Sequence, residues 1–187
     1  MKVLEFRKIQ TSDRADKKYE TWSRIYEYPL VLDMIKKYHD LDTLHLHNSS
    51  WGFEGCHVTF KNDLDTLTDK CIHSDIKYSN LPNTTVWDIT KSCPEEWNNK
   101  FDIVLNVSTL EEVSYNHGEI FDNLMKQVRP GGLLICTFDL PGLDINYFEN
   151  LFKINIQRFD NELNNHNSIL PAFSNRNLEC GLMVIRK

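Results

Sequence analysis

The strongest constraint in this sequence is a pair of apolar runs joined by one helix-length stretch. Phe101-Asp102-Ile103-Val104-Leu105-Asn106-Val107 and Leu133-Leu134-Ile135-Cys136-Thr137-Phe138 are short and rich in strand-forming residues, while residues 119–128 carry a helical pattern that Arg129-Pro130-Gly131-Gly132 stops. Near-continuous apolar strands are covered on both faces, and parallel neighbours need a crossover between them. The unit predicts an α/β domain with a mainly parallel sheet and helices on both faces.

The rest of the chain repeats the alternation. Strands are predicted at 43–47, 70–75, 84–87, 154–159 and 180–185, with turn clusters at Asn48-Ser49-Ser50-Trp51-Gly52 and Asn80-Leu81-Pro82-Asn83. Helices are predicted from about Phe53 onward and over 146–151, and residues 14–38 read as one or two helices broken near Pro29. The Asn-rich residues 160–177 read as a long excursion, which in a compact domain is more often functional or mobile than idle. In such sheets ligands bind at the carboxyl ends of the strands, near the switch point.

Composition narrows the partners. At 187 residues, with 41% hydrophobic and 26% charged side chains, the chain has the makings of one globular domain and is neither disordered nor fibrous. A net charge of −6 argues against a broad nucleic-acid or anionic-lipid footprint, and a small-molecule substrate is expected instead. Residues 1–24 are locally basic, which reads as a solvated helix face. No run approaches the roughly 18 apolar residues of a membrane span, and the start lacks a signal-peptide core, so a cytoplasmic location is expected. The five cysteines are scattered without a C-x-x-C pair and read as reduced thiols. The oligomeric state is not legible.

The order of motifs resembles the class I, Rossmann-like S-adenosylmethionine-dependent methyltransferases over roughly residues 40–140. Phe101 to Val107 continuing into Ser108-Thr109-Leu110-Glu111-Glu112-Val113 is similar to that family's fourth strand, and Val128-Arg129-Pro130-Gly131-Gly132-Leu133 to its turn into the fifth. The resemblance implies seven strands in the order 3-2-1-4-5-7-6, a single domain with a helical cap over 1–39 and a core over 40–187, and S-adenosylmethionine as cofactor. It also implies binding roles. Asn48, Ser49, Ser50 and Gly52 stand where the family carries a glycine-rich loop, of which Gly52 alone is kept. Asp75, about 20 residues after Gly52, would hold the ribose, the alternative being an Asx turn. Asp88 and Ile89 would line the adenine, the alternative for Asp88 being a cap or turn. Asn106, Val107 and Ser108 would lie beneath the cofactor, the alternative for Asn106 being to satisfy backbone groups. Ser23 to Pro29 is similar to the family's lead-in, with Arg24 over the methionine end. Trp51 would stack on or close the pocket.

Methyl transfer needs positioning and, for some acceptors, a base. Glu111, Glu112 and His117 follow the fourth strand and are the candidates, the alternative for the two glutamates being a charged helix start. His45 and His47 project from one face of a strand, yet with no regular spacing of further ligands among Cys56, His57, Cys71 and His73 no metal is expected. Residues 1–39, 139–147 and 160–177 are expected to form the pocket's lid. Three functions remain in order: a methyltransferase acting on a small-molecule or sugar-like acceptor, a methyltransferase-like domain that has lost the cofactor and serves as a binding or regulatory module, and a doubly wound enzyme using a nucleotide or metal.

Overall fold

The computed structural model describes residues 1–10, 13–21, 23–50, 52–140, 142–153 and 180–187. In chain order its strands are β1 (Lys2–Lys8), β2 (Leu46–Asn48), β3 (Cys71–Asp75), β4 (Thr84–Val86), β5 (Phe101–Val107), β6 (Val128–Asp139) and β7 (Cys180–Arg186). Its helices are α1 (Arg24–Tyr38), α2 (Cys56–Asp65), α3 (His117–Gln127) and α4 (Ile145–Phe152). The strands form one sheet in the order β1-β7-β6-β5-β2-β3-β4. The pairs β5–β6, β5–β2, β2–β3 and β3–β4 are parallel, with Leu46 opposite Ile103 and Leu105 opposite Ile135; β7 is antiparallel to β6 and to β1.

The apolar run of β5 serves two cores at once. Ile103, Leu105 and Val107 pack with α1 and α2 on one face, while Phe101 and Val104 pack with α3 and α4 on the other. The connection after α3 is tighter than expected, since Arg129-Pro130-Gly131-Gly132 is drawn into the start of β6, with Gly131 at φ 80°.

From the β4 edge the order matches the expected 3-2-1-4-5-7, and it differs at the other edge. There β1 occupies the place foreseen for the sixth strand and runs in the same sense as β6, so residues 2–8 are a strand and not part of a helical cap. A bulge between Val3 and Glu5 puts Val3 and Phe6 against one core and Leu4 against the other, which breaks the period-2 pattern by which strands are recognised. The strand expected at 154–159, the excursion at 160–177, Trp22 and Trp51 lie outside the described residues.

Two further expectations are corrected. Pro29 does not break α1: the Ile25 carbonyl that it leaves without a helical partner accepts from the Asp16 N–H at 2.8 Å. The basic N-terminal side chains are solvated, with Lys2, Arg14, Lys17 and Lys18 exposed, but they do not lie on a helix face, since the helix starts only at Arg24; Arg7 pairs with Asp13 at 2.8 Å, Arg14 with Asp33 at 3.1 Å and Lys18 with Asp63 at 3.0 Å. No helix among the described residues is long and apolar enough to cross a membrane.

His47 is fully buried on β2 among Trp87, Trp97 and Phe101, its Nδ1 2.5 Å from Gln127 Oε1 and its Nε2 2.8 Å from the Ser74 hydroxyl. Burial pushes its pKa down from 6.5 to about 3. A folded pKa below the unfolded one contributes stability that is present above pH 6.5 and is lost as pH falls toward 3. Denaturant unfolding at pH 7, 5.5 and 4.5 should show a steep acid loss that His47→Gln makes shallower, although the variant is less stable at pH 7.

Candidate functional site

The carboxyl ends of β2, β3 and β5 lie side by side, and the chain leaves β2 through Asn48, Ser49 and Ser50. The serines that replace glycine are tied to β5: the Ser49 hydroxyl donates to the Leu105 carbonyl at 2.8 Å, and the Val107 N–H donates to Ser50 Oγ at 2.9 Å. Asn106, fully buried, donates from Nδ2 to the Ser49 carbonyl at 3.2 Å and accepts the Leu110 N–H on Oδ1 at 3.0 Å. Asn48 accepts the Ser50 N–H at 3.2 Å. The loop is thus shaped by its own side chains, and Asn106 holds its far wall. Gly52 stays glycine for two reasons: its φ is 94°, and an added Cβ would lie 2.8 Å from the His57 ring.

Asp75 ends β3 and is 8% exposed. Its Oδ2 accepts the Gly52 N–H at 2.8 Å and its Oδ1 the Lys77 N–H at 2.9 Å, so the Asx turn is formed and each oxygen keeps a further lone pair. Asp88 accepts the backbone and hydroxyl donors of Thr90 at 2.9 and 2.7 Å, which lower its pKa. Between these acids lies a cavity of about 220 Å³ bounded by Ser49, Asp75, Ile76, Asp88, Ile89 and Val113. Thr109 and Val113 join it to a second space of about 540 Å³ beside Arg24, Ser108 and Glu112. On the other side Asp75 borders a third, of about 550 Å³, at Gly52, His57 and Lys77.

The end beneath α1 holds a group that the sequence did not reveal. Glu27 is fully buried; its Oε1 accepts the Ser108 and Thr137 hydroxyls, and its Oε2 accepts the Ser23 hydroxyl and Arg24 Nη1. Burial alone would raise its pKa, yet the Arg24 charge and the three hydroxyls outweigh that and hold it low. Arg24 is left with Nε buried and without a hydrogen-bond partner. Ser108 sits at φ 40°, a strained backbone for a non-glycine residue, costing about 1–3 kcal/mol. An acid in a helical stretch normally marks a solvent face. Here the signal was the apolar residues on all sides of it, Ile25, Tyr26, Tyr28 and Leu30, every one buried.

The three candidate bases are placed differently. Glu112 lines the space beside Arg24. Glu111 turns inward: Oε1 accepts the Asp139 N–H at 2.7 Å, Oε2 is buried without a partner, and burial pushes the pKa up from 4.5 to about 8. The Nδ1 of His117 accepts the Asp144 N–H at 3.1 Å and so helps hold the start of α4.

No family model matches the sequence, and no curated protein does. Solved structures do. The CalH methyltransferase in complex with S-adenosylhomocysteine superposes with a TM-score of 0.50 at 16% identity, over 85% of this chain and 55% of that one. The CurJ carbon methyltransferase gives 0.54 at 11% over 88% and 54%, and the N-methyltransferase NodS from Bradyrhizobium japonicum WM9 gives 0.52 at 12% over 86% and 93%. The chain has the class I methyltransferase fold. It spans about half the length of CalH and CurJ and nearly the whole of NodS.

The Glu111 shift has a sign that can be checked. The folded protein keeps this proton up to about pH 8 while the unfolded chain gives it up near 4.5, so the group's contribution is intact below pH 4.5 and falls away as pH rises toward 8. Glu111→Gln should raise the melting temperature at pH 8 by several degrees and leave it nearly unchanged at pH 4, read by differential scanning calorimetry across that range.

Proposed function

We propose that the chain binds S-adenosylmethionine across this crevice and transfers its methyl group to a small-molecule acceptor. One observation carries the reading: a single crevice over the strand ends has a carboxylate with spare lone pairs at Asp75 and the Arg24 guanidinium on its wall. These complement the ribose hydroxyls and the α-carboxylate of that cofactor. The serine hydroxyls of the loop are drawn onto β5, and Gly52 keeps its open conformation, so the altered loop is compatible with a bound ligand.

The cofactor, when bound, supplies an electrophilic methyl group on a sulfonium. The chain's own residues do the positioning. Asp75 accepts from the ribose hydroxyls, Ile89 and Val113 give apolar walls to the base, and Asp88 offers the oxygen that Thr90 does not use. Arg24, fixed by Glu27, puts its positive charge beside the amino-acid end. Glu112 faces the acceptor and takes its proton where the acceptor has one to lose; Glu111 behind it is protonated at neutral pH.

A second reading is favoured by the same loop. Ser49, Ser50 and Asn106 already find partners within the loop and β5, as expected of a methyltransferase-like domain that has lost the cofactor and works as a binding or regulatory module. Calorimetric titration with S-adenosylmethionine and S-adenosylhomocysteine separates the two. Micromolar binding that weakens more than about tenfold in Asp75→Asn supports the first reading, since each hydrogen bond to a charged group is worth about 1.5–3 kcal/mol. An absence of heat from folded protein supports the second.

A further inference from the structure

Behind the loop, away from the crevice, three side chains with metal-ligating atoms converge. Cys71 and His73 are two residues apart on β3, so the pleat puts both on one face, and Asp65, the last residue of α2, reaches the same point. His73 Nε2 lies 3.1 Å from Asp65 Oδ1 and 3.6 Å from Cys71 Sγ, and the three ligand atoms all lie within 4.8 Å of one another. A tetrahedral zinc ion, with Zn–N and Zn–O of about 2.0 Å and Zn–S of about 2.3 Å, holds nitrogen and sulfur about 3.5 Å apart and nitrogen and oxygen about 3.3 Å apart. The side chains already stand close to those separations.

We propose that Asp65, Cys71 and His73 form a binding site for a zinc-class divalent cation, with water in the fourth position. The mixed sulfur, nitrogen and oxygen set suits zinc better than the all-oxygen shells of calcium or magnesium. Cys71 and His73 are 3% and 1% exposed, whereas the Asp65 side chain is 30% exposed and gives the ion a way in at the carboxyl end of α2. Binding breaks the Cys71 S–H bond, forms the metal–sulfur bond and passes the proton to solvent; no oxidant or reductant is involved. The thiolate and the Asp65 carboxylate together balance the ion's two charges. The buried Lys61 ammonium shares this neighbourhood with Asp65, Cys71 and Asp75, and it opposes the ion.

The site reaches the loop through one side chain. Without an ion, His73 Nδ1 accepts from Asn48 Nδ2 at 3.2 Å, so the ring proton is on Nε2. An ion on Nε2 moves that proton to Nδ1, which then needs an acceptor. Asn48 answers by turning its amide oxygen to the ring, and that oxygen is the one that holds the Ser50 N–H.

The test is a titration of the full chain, stripped with chelator under reducing conditions, with Co²⁺ as the spectroscopic stand-in for zinc. The expected result is one ion per chain with a sulfur-to-cobalt charge-transfer band and the intense visible bands of a tetrahedral site. Cys71→Ser should abolish the charge-transfer band, while Asp65→Asn and His73→Gln should weaken binding by at least about tenfold. Cys56→Ser and Cys93→Ser should change nothing, and Lys61→Met should tighten binding. The absence of a thiolate band, or a band that survives Cys71→Ser, overturns the proposal. Asp65→Asn changes a partly exposed helix end and keeps the test decisive if a strand variant fails to fold: unchanged Co²⁺ affinity in that variant also overturns it.

Discussion

The Glu27 carboxylate is the tie on which the site's geometry depends. Taking a carboxylate wholly out of water costs several kcal/mol, and the structure offsets this with Arg24 and the hydroxyls of Ser23, Ser108 and Thr137. Two of those donors come from the start of α1 and two from the ends of β5 and β6. The carboxylate therefore fixes the height of α1 above the sheet, the strained turn at Ser108 and the direction of the Arg24 guanidinium together. Removing it would leave the Arg24 cation and three buried hydroxyls without the acceptor they share.

The loop after β2 shows a different solution to the problem that glycines usually solve. Glycine lets backbone N–H groups approach a ligand because nothing projects from the chain. Here the projecting hydroxyls are folded back against the neighbouring strand, at the Leu105 carbonyl and the Val107 N–H. This arrangement is more rigid, since Asn106 and Asn48 brace it from opposite sides. A preorganised loop of this kind costs little ordering when a ligand arrives, but it also stands without one.

What could be read in advance follows from how many levels agree. In the stretch from Phe101 to Phe138, apolar pattern, helix length and the stop at Pro130 point to the same βαβ unit, and the structure contains it. The place of Asp75 at the end of β3 was legible because the β-compatible run before it stops at that acid. Glu27 was not: a lone acid in a helix looks solvated until its partners, which lie more than 80 residues downstream at Ser108 and Thr137, are brought to it by the sheet. β1 was hidden by its bulge and by the lysines, arginine and glutamate suited to an edge strand. His45 and His47 drew attention by spacing alone. Asp65, Cys71 and His73 share no motif spacing, because one ligand ends a helix and two lie on the strand that follows.

The edge formed by β1 bears on how such a chain is assembled. Lys2 pairs with Arg186 and Lys8 with Gly181, so among the described residues β1 has as its neighbour in the sheet a strand more than 170 residues further along the chain. Until β7 is made and brought up to it, β1 lacks that partner, and it must wait in a state that resists pairing with strangers. Its four charged residues, Lys2, Glu5, Arg7 and Lys8, are what such a wait demands, because a long bare apolar segment in that position would aggregate before its partner appeared. Closure of this edge is then a long-range event with a large loop to enclose.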